Sequence, residues 1–99
     1  MYKLKEGMNL PKEFKINVNP EQSESLQKYV LSIGIKWANG ENCIQHVDNP
    51  YLYFYNNGTY LRNHDKRDFK TDSKPKIKFK DYFEKVTNQF PEKWCIEVT

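Results

Sequence analysis

A turn signal between two runs of strand-forming residues constrains the fold of this chain more than any other feature. The dipeptide Asn57-Gly58 lies between the runs YLYFYN and TYLR, which are rich in aromatic residues. Asn-Gly in this setting favours a two-residue type I′ hairpin loop, in which both residues have positive φ. A two-residue loop also fixes the register, so Tyr55 is predicted to pair with Tyr60. The chain is therefore predicted to contain an antiparallel hairpin.

This predicted register sorts the side chains of the hairpin onto two faces. Leu52, Phe54 and Leu61 fall on one face, which we expect to pack beneath a helix. The opposite face is predicted to be a contact surface, because tyrosine combines a flat apolar ring with a polar hydroxyl. Its predicted members are Tyr51, Tyr53, Tyr55, Tyr60, Arg62 and His64.

The segment NPEQSESLQKYVLSIG carries the strongest helix signal in the chain. Asn19 is a favourable N-cap, Pro20 suits the first helical position, and Gln22 allows a capping box. Apolar residues then recur at the i, i+3, i+4, i+7 spacing of one helix face, and Gly34 ends the pattern. We predict one main helix over residues 20–33, lying across one face of a sheet.

Further segments complete the predicted fold. FKINV and IKFK alternate apolar and polar residues, which is typical of half-buried strands. DYFEKV predicts a short C-terminal helix near residues 81–88, with Asp81 as its cap. The charged stretch NHDKRDFKTDSKPK is predicted to be a loop whose only apolar anchor is Phe69. The predicted fold class is α+β, with an antiparallel sheet of four to five strands.

Residues 1–99 are predicted to form a single domain, since the length is that of one small domain. It comprises a polar lead-in over residues 1–12, a core unit over residues 13–90 and a C-terminal strand over residues 94–98. The final segment PEKWCIEVT matches PKEFKINVN near the start without a gap. Two interpretations stay open: the last strand begins a truncated repeat, or two edge strands share one alternation pattern.

Composition and motifs argue against several function classes. Aromatic residues make up 15% of the chain, too many for a disordered protein, and the net charge of +3 is small for a duplex-binding domain. Cys43 and Cys95 form no zinc-binding spacing with the two histidines, and the charged stretch has no second carboxylate cluster. We therefore predict no metal, no cofactor and no enzymatic activity.

The cysteines and the apolar runs also bear on location. Cys43 and Cys95 are predicted to be reduced, buried thiols, and a disulfide between them stays open as the alternative. No apolar run is long enough for a membrane span, and the first residues carry no secretory signal. We therefore expect a cytoplasmic protein that does not engage a membrane.

One resemblance gives a biological setting. FKINVNPEQSESLQKYVLSIGIKW followed by YLYFYNNG resembles a group of small proteins encoded by tailed bacteriophages. The shared outline is a strand, a PExSxxxQ helix, a GxxW segment and a YL strand before a turn. The likeness carries no catalytic residue. It implies an accessory protein in the cytoplasm of an infected bacterium, where many such proteins blunt host defences.

Three functions suit this setting and the aromatic surface. The first, which we favour, is inhibition of a host defence protein by direct binding. The second is sequestration of a nucleotide second messenger of immunity, and the third is binding of single-stranded nucleic acid, both through stacking and cationic contacts. A homo-oligomer contact is a further use for the same face. Four more residues are predicted to border the site: Lys36, Trp37, Lys66 and Arg67.

Overall fold

The computed structural model describes residues 2–86, which form two β-sheets and three helices. In chain order the elements are β1 (Tyr2–Leu4), β2 (Phe14–Asn17), α1 (Pro20–Ser32), β3 (Lys36–Trp37), β4 (Tyr51–Phe54), β5 (Thr59–Asn63), α2 (Lys66–Thr71), β6 (Lys76–Lys78), α3 (Phe79–Tyr82) and β7 (Phe83–Lys85). The predicted C-terminal strand over residues 94–98 lies outside the described residues, as does Cys95.

The larger sheet has the strand order β3-β5-β4-β2-β6. Strand β4 pairs antiparallel with β2 and with β5, whereas the edge strands β3 and β6 run parallel to their neighbours. Strands β1 and β7 form a separate antiparallel pair. The α+β class and the five-stranded sheet are confirmed, but the sheet is mixed rather than wholly antiparallel. Alternation in a sequence shows which residues share a face, and it does not show in which direction a neighbouring strand runs.

The main helix forms as its capping residues predict. The Asn19 side chain accepts a hydrogen bond from the Gln22 backbone N–H (2.7 Å), and the Gln22 side chain accepts one from the Asn19 N–H (3.0 Å). Two backbone donors that would otherwise lack partners near the helix start are thereby satisfied. The helix ends at Ser32, one residue before the predicted end, and Gly34 follows with a φ of 96°.

The main core lies between α1 and one face of the larger sheet, which we call the helix face. The ring of Phe54 stacks on Phe14 from the neighbouring strand (centroids 4.4 Å apart) and on Tyr60 (4.8 Å). Leu26 and Val30 of α1 are fully buried in the same apolar cluster. Each fully buried side chain of this kind contributes about 1.5–3 kcal/mol, so this layer anchors the fold.

The predicted hairpin is present, but its register differs from the predicted one by one residue. Phe54 pairs with Tyr60, and the Tyr55 N–H donates to the Thr59 carbonyl (2.9 Å). The loop therefore has three residues rather than two. Gly58 has a φ of 84°, and Asn57 does not have the positive φ that a type I′ turn requires. A type I turn followed by a left-handed glycine fits this geometry.

The side chain of Asn57 accounts for the longer loop. Its Oδ1 accepts hydrogen bonds from the N–H and the hydroxyl of Thr59 (3.2 and 2.7 Å), an arrangement in which the side chain imitates a backbone turn. Because side chains alternate along a strand, a slip of one residue exchanges the two faces of β5. Tyr60 therefore joins Phe54 on the helix face, and Leu61 lies on the opposite face, which is the reverse of the prediction.

The ends of the described region also differ from their predicted form. Helix α3 begins two residues before the predicted span of residues 81–88 and overlaps it only at Asp81 and Tyr82, because β7 begins at Phe83. Asp81 lies in the first turn of α3 and is not the N-cap that the sequence predicts. Phe79 and Phe83 are both buried, and their rings stack with centroids 4.6 Å apart. Strand β7, which Phe83 begins, is extended and pairs with β1. The polar lead-in contains β1, and Tyr2 packs edge-on against Phe79 (4.9 Å). Residues 87 and 88 of the predicted helix lie outside the described residues.

Candidate functional site

Helix α2 covers the face of the sheet opposite the helix face. Tyr51 and Tyr53 on β4 are only 9% and 7% exposed, and the Phe69 ring of α2 stacks on both, with centroids 4.4 and 6.1 Å away. Tyr55 packs against this group and is half-buried. We call Tyr51, Tyr53, Tyr55 and Phe69 the tyrosine cluster. The surface that the sequence predicts to be open is therefore, at its centre, a second small core.

Helix α2 forms where the sequence predicts a charged loop. The Asp65 carboxylate caps it by accepting hydrogen bonds from the N–H groups of Arg67 (2.8 Å) and Asp68 (3.3 Å). Phe69 is 4% exposed and is the one buried residue of the helix. The sequence carries the cap, but a single apolar residue produces no periodic stripe, so the pattern does not distinguish this helix from a loop.

Lys15 attaches α2 to the sheet. It is only 6% exposed, and its Nζ donates hydrogen bonds to the backbone carbonyls of Phe69 and Asp72, the second at 2.7 Å. A cation at the C-terminal end of a helix offsets the partial negative charge of the last carbonyls. The same Nζ lies 5.0 Å from the centroid of the Phe69 ring. Lys15 therefore has a structural role beneath the tyrosine cluster.

Lys74 covers the outer side of the tyrosine cluster. Its Nζ lies 4.2 Å from the centroid of the Tyr55 ring and 5.7 Å from that of Tyr53, and it pairs with the Asp72 carboxylate at 3.4 Å. A hydrogen bond from the Lys74 N–H, together with the Lys74 ammonium, lowers the pKa of Asp72. Burial raises the pKa of the Tyr53 hydroxyl. The rings of the cluster thus already have aromatic and cationic partners.

The other predicted site residues are spread over the molecule. Tyr60 is fully buried on the helix face, where its hydroxyl donates to Gln27 Oε1 (3.3 Å) and burial raises its pKa. The predicted grouping of Tyr60 and Arg62 with the other tyrosines is wrong, because it depends on the two-residue loop. Whether any predicted site residue binds a partner stays a prediction. Five of these residues are exposed: Lys36, Arg62, His64, Lys66 and Arg67.

A cleft beside the end of β3 brings two of the predicted residues together. Trp37 and Arg62 both line it, and its volume is about 310 Å³. The other lining residues are Ala38, Asn39, Gln45, His46 and Leu61. We call this depression the Trp37 cleft. No sequence motif distinguishes His46 as a site residue, and its position depends on how the surrounding loop folds.

One wall of the Trp37 cleft is a loop, residues 38–50, that buried polar contacts hold in place. The side-chain amide of Gln27, fully buried in α1, accepts a hydrogen bond from the Gln45 N–H (3.0 Å) and donates one to the Gln45 carbonyl (2.8 Å). Trp37 Nε1 donates to the Cys43 carbonyl (2.9 Å). The loop is thus attached through its backbone, and the Cys43 thiol is exposed rather than buried as predicted.

A second depression is apolar and lies where the end of α1 meets the hairpin loop. Ile33 borders it and is 54% exposed, more than any other large apolar residue among the described ones. The depression has a volume of about 320 Å³. We call it the Ile33 groove. Its other lining residues are Leu10, Pro11, Lys12, Phe14, Tyr29, Ile35, Phe54, Tyr55, Asn56 and Gly58.

Comparison of the chain with protein-family models, with curated proteins and with solved structures gave no match. Within residues 2–86, no helix has the length and apolar character needed to cross a membrane. The same part of the chain holds no group of three or more His, Cys, Asp or Glu side chains placed to bind a metal ion.

Proposed function

We propose that the protein is a non-enzymatic binding protein that antagonises a host antiviral defence by binding and inhibiting a host defence protein. The proposal rests on the Ile33 groove, a mostly apolar depression of about 320 Å³ that Ile33, 54% exposed, borders, because apolar depressions commonly receive the anchor side chain of a partner. The resemblance to tailed-bacteriophage proteins supplies the setting, the cytoplasm of an infected bacterium.

The floor of the Ile33 groove is part of the main core. Phe14 and Phe54 form it, and each is 1% exposed and stacked within the main core. Ile33 and Ile35 flank the end of α1, where the Ile35 N–H donates to the Val30 carbonyl (3.0 Å) and fixes the chain direction. A groove formed before binding loses little conformational entropy when a partner enters it, which favours affinity.

The groove fits an apolar side chain of a partner that carries a carboxylate nearby. Lys12 is the only charged residue among those that line it, and no acidic residue opposes it there. Protein interfaces commonly place an apolar anchor in a pocket and polar pairs at the rim. We therefore propose a partner segment with an apolar anchor at Ile33 and an Asp or Glu that pairs with Lys12. A second copy of this chain is the competing occupant.

Recognition of nucleic acid through the tyrosines is less well supported than protein binding. Tyr51 and Tyr53 already stack on Phe69, so a base would reach these rings only after α2 had moved away. Tyr55 is the accessible member of the cluster, and Lys74 covers its ring. Stacking platforms for single strands present several open rings in succession, and this face does not.

Ile33→Asp tests the proposal, with Ile44→Asp as the matched control. Both isoleucines are exposed, at 54% and 39%, and only Ile33 lines the groove. The tagged chain is used to capture proteins from a lysate of the host, and the captured protein is purified and titrated against each variant. We expect Ile33→Asp to weaken binding by about 30-fold or more, the loss typical of an interface anchor, and to abolish activity in an infection assay.

Ile44→Asp should bind and act like the unaltered protein, and Lys12→Glu should weaken binding of the same partner. Equal affinity of Ile33→Asp and the unaltered chain would overturn the assignment of the groove. If Ile33→Asp instead converts a dimer to a monomer on size-exclusion chromatography and leaves partner binding intact, the groove is a homo-oligomer contact, and the proposal is wrong in that form.

A further inference from the structure

We infer that the Trp37 cleft is a binding site for a nucleotide, that is, a nucleoside that carries a phosphate. The inference does not depend on the proposed protein partner, because the Trp37 cleft and the Ile33 groove share no lining residue. It goes beyond inhibition by protein contact, since it gives the molecule a second site with a different ligand chemistry.

Arg62 supplies the cationic group of the cleft. Within residues 2–86 its guanidinium makes neither an ion pair nor a hydrogen bond, although it lines the depression. A guanidinium presents five N–H donors in a planar fork that matches two oxygens of a phosphate. An exposed arginine on a strand that is paired with β4, with its donors uncommitted, is well placed to bind an anion without first breaking an internal pair.

His46 adds an imidazole ring to the lining of the cleft that Arg62 also lines. Its φ is 57°, and it is the one non-glycine residue with positive φ among those described. Such a conformation persists only where the surrounding contacts impose it, and here the Gln45 backbone is fixed by Gln27 while the Asn49 N–H donates to the His46 carbonyl (3.1 Å). The imidazole lies edge-on to Trp37, 5.5 Å away, and forms no hydrogen bond within the described chain.

The edge of the sheet adds backbone groups to the cleft. The Ala38 N–H donates to the Tyr60 carbonyl (3.1 Å), so Tyr60 directs its backbone polar groups towards β3. Backbone direction alternates along a strand, and Arg62, two residues further on, therefore directs its N–H and carbonyl to the same side. Strand β3 ends at Trp37, so it does not continue alongside Arg62. These groups can pair with the polar edge of a base or with a phosphate oxygen.

The remaining lining residues suit the rest of a nucleotide. Leu61 is 41% exposed and offers an apolar wall, while Asn39 and Gln45 carry carboxamides. Glu41 is the nearby acidic group, and its carboxylate accepts a hydrogen bond from Gln45 Nε2 (2.6 Å), which lowers its pKa and orients the Gln45 amide. A volume of about 310 Å³ is at the small end of ligand pockets and suits a single nucleotide better than a polymer.

Isothermal titration calorimetry on the full chain at low salt tests the inference. The probes are the four ribonucleoside monophosphates, adenosine and inorganic phosphate. We expect at least one monophosphate to bind more tightly than adenosine and than phosphate alone. Arg62→Gln should weaken that binding by about tenfold or more, because it removes charge-assisted hydrogen bonds. His46→Asn should also weaken it while the melting temperature is kept, since asparagine tolerates positive φ.

Lys78→Gln is the matched control, because it removes one positive charge from an exposed residue of β6, which lies at the opposite edge of the sheet from β3 and does not line the cleft. It should leave the affinity within about twofold of the unaltered chain, since exposed charges that are distant from the ligand contribute little. Absence of binding by every monophosphate at millimolar concentration would overturn the inference. So would equal affinity for inorganic phosphate, or a loss with Lys78→Gln as large as with Arg62→Gln. None of these results bears on the Ile33 groove, which Ile33→Asp tests separately.

Discussion

Aromatic side chains are buried on both faces of the five-stranded sheet, but the two faces are covered by helices of different length. The helix face is covered by α1, a helix of 13 residues, and carries a large cluster of buried apolar side chains. The opposite face is covered by α2, which has six residues and one buried side chain, Phe69. The helix face therefore has a continuous core, whereas the tyrosine cluster depends on one ring.

Lysines make up the rest of the second layer. Lys15 lies beneath α2, while Lys74 and Lys76 lie over the rings of the cluster. This layer therefore has few buried apolar contacts. Regions of that kind open at a lower free energy than the main core of a protein. Aromatic content alone therefore does not show whether a face is open, since a single well-placed phenylalanine closes this one.

The largest expected effect is the difference in lost unfolding free energy between a substitution on the helix face and one in the tyrosine cluster. Phe54→Ala should lower the free energy of unfolding by about 4 kcal/mol, because it leaves a cavity in the continuous core. Phe69→Ala should cost about 2 kcal/mol, roughly the burial of one ring, because solvent and neighbouring side chains can fill the space. Urea denaturation of the two variants measures the difference. Equal losses would show that the tyrosine cluster is as continuous as the main core.

A smaller effect is expected from the buried lysine. Lys15→Met keeps the apolar stem and removes the donors to the Phe69 and Asp72 carbonyls, so it should cost about 1 kcal/mol. Hydrogen exchange should speed up for the amides of α2 and stay unchanged for those of α1. Lys78→Met, at an exposed lysine of β6, serves as the control and should change neither. Uniform acceleration across both helices would contradict a role confined to α2.

The parts of the fold that the sequence predicts well are those with local causes. The capping box and apolar stripe of α1 involve residues within a few positions of one another, and the helix begins and ends within one residue of its predicted bounds. The existence of the hairpin follows from Asn57-Gly58 for the same reason. Its register does not, because the Asn57 side chain competes for the turn, and an error of one residue exchanges the two faces of β5.

The parts that could not be predicted depend on contacts between distant residues. Phe69 and Tyr51 are 18 positions apart, and no pattern in either segment shows that their rings stack. The same holds for Gln27, which fixes the loop that carries His46 and thereby shapes the Trp37 cleft. Trp37 and Arg62 are predicted as site residues, but for a face on which the structure does not place them.

A two-dimensional NOESY spectrum of the full chain tests most directly whether the tyrosine cluster is interior. The observed register predicts a strong cross-peak between the Hα protons of Phe54 and Tyr60, which face each other in a non-hydrogen-bonded pair. The closed face predicts cross-peaks between the ring protons of Phe69 and those of Tyr51. A spectrum in which Phe54 instead faces Leu61 and the Phe69 ring has no contact with Tyr51 would contradict both the register and the closure of this face.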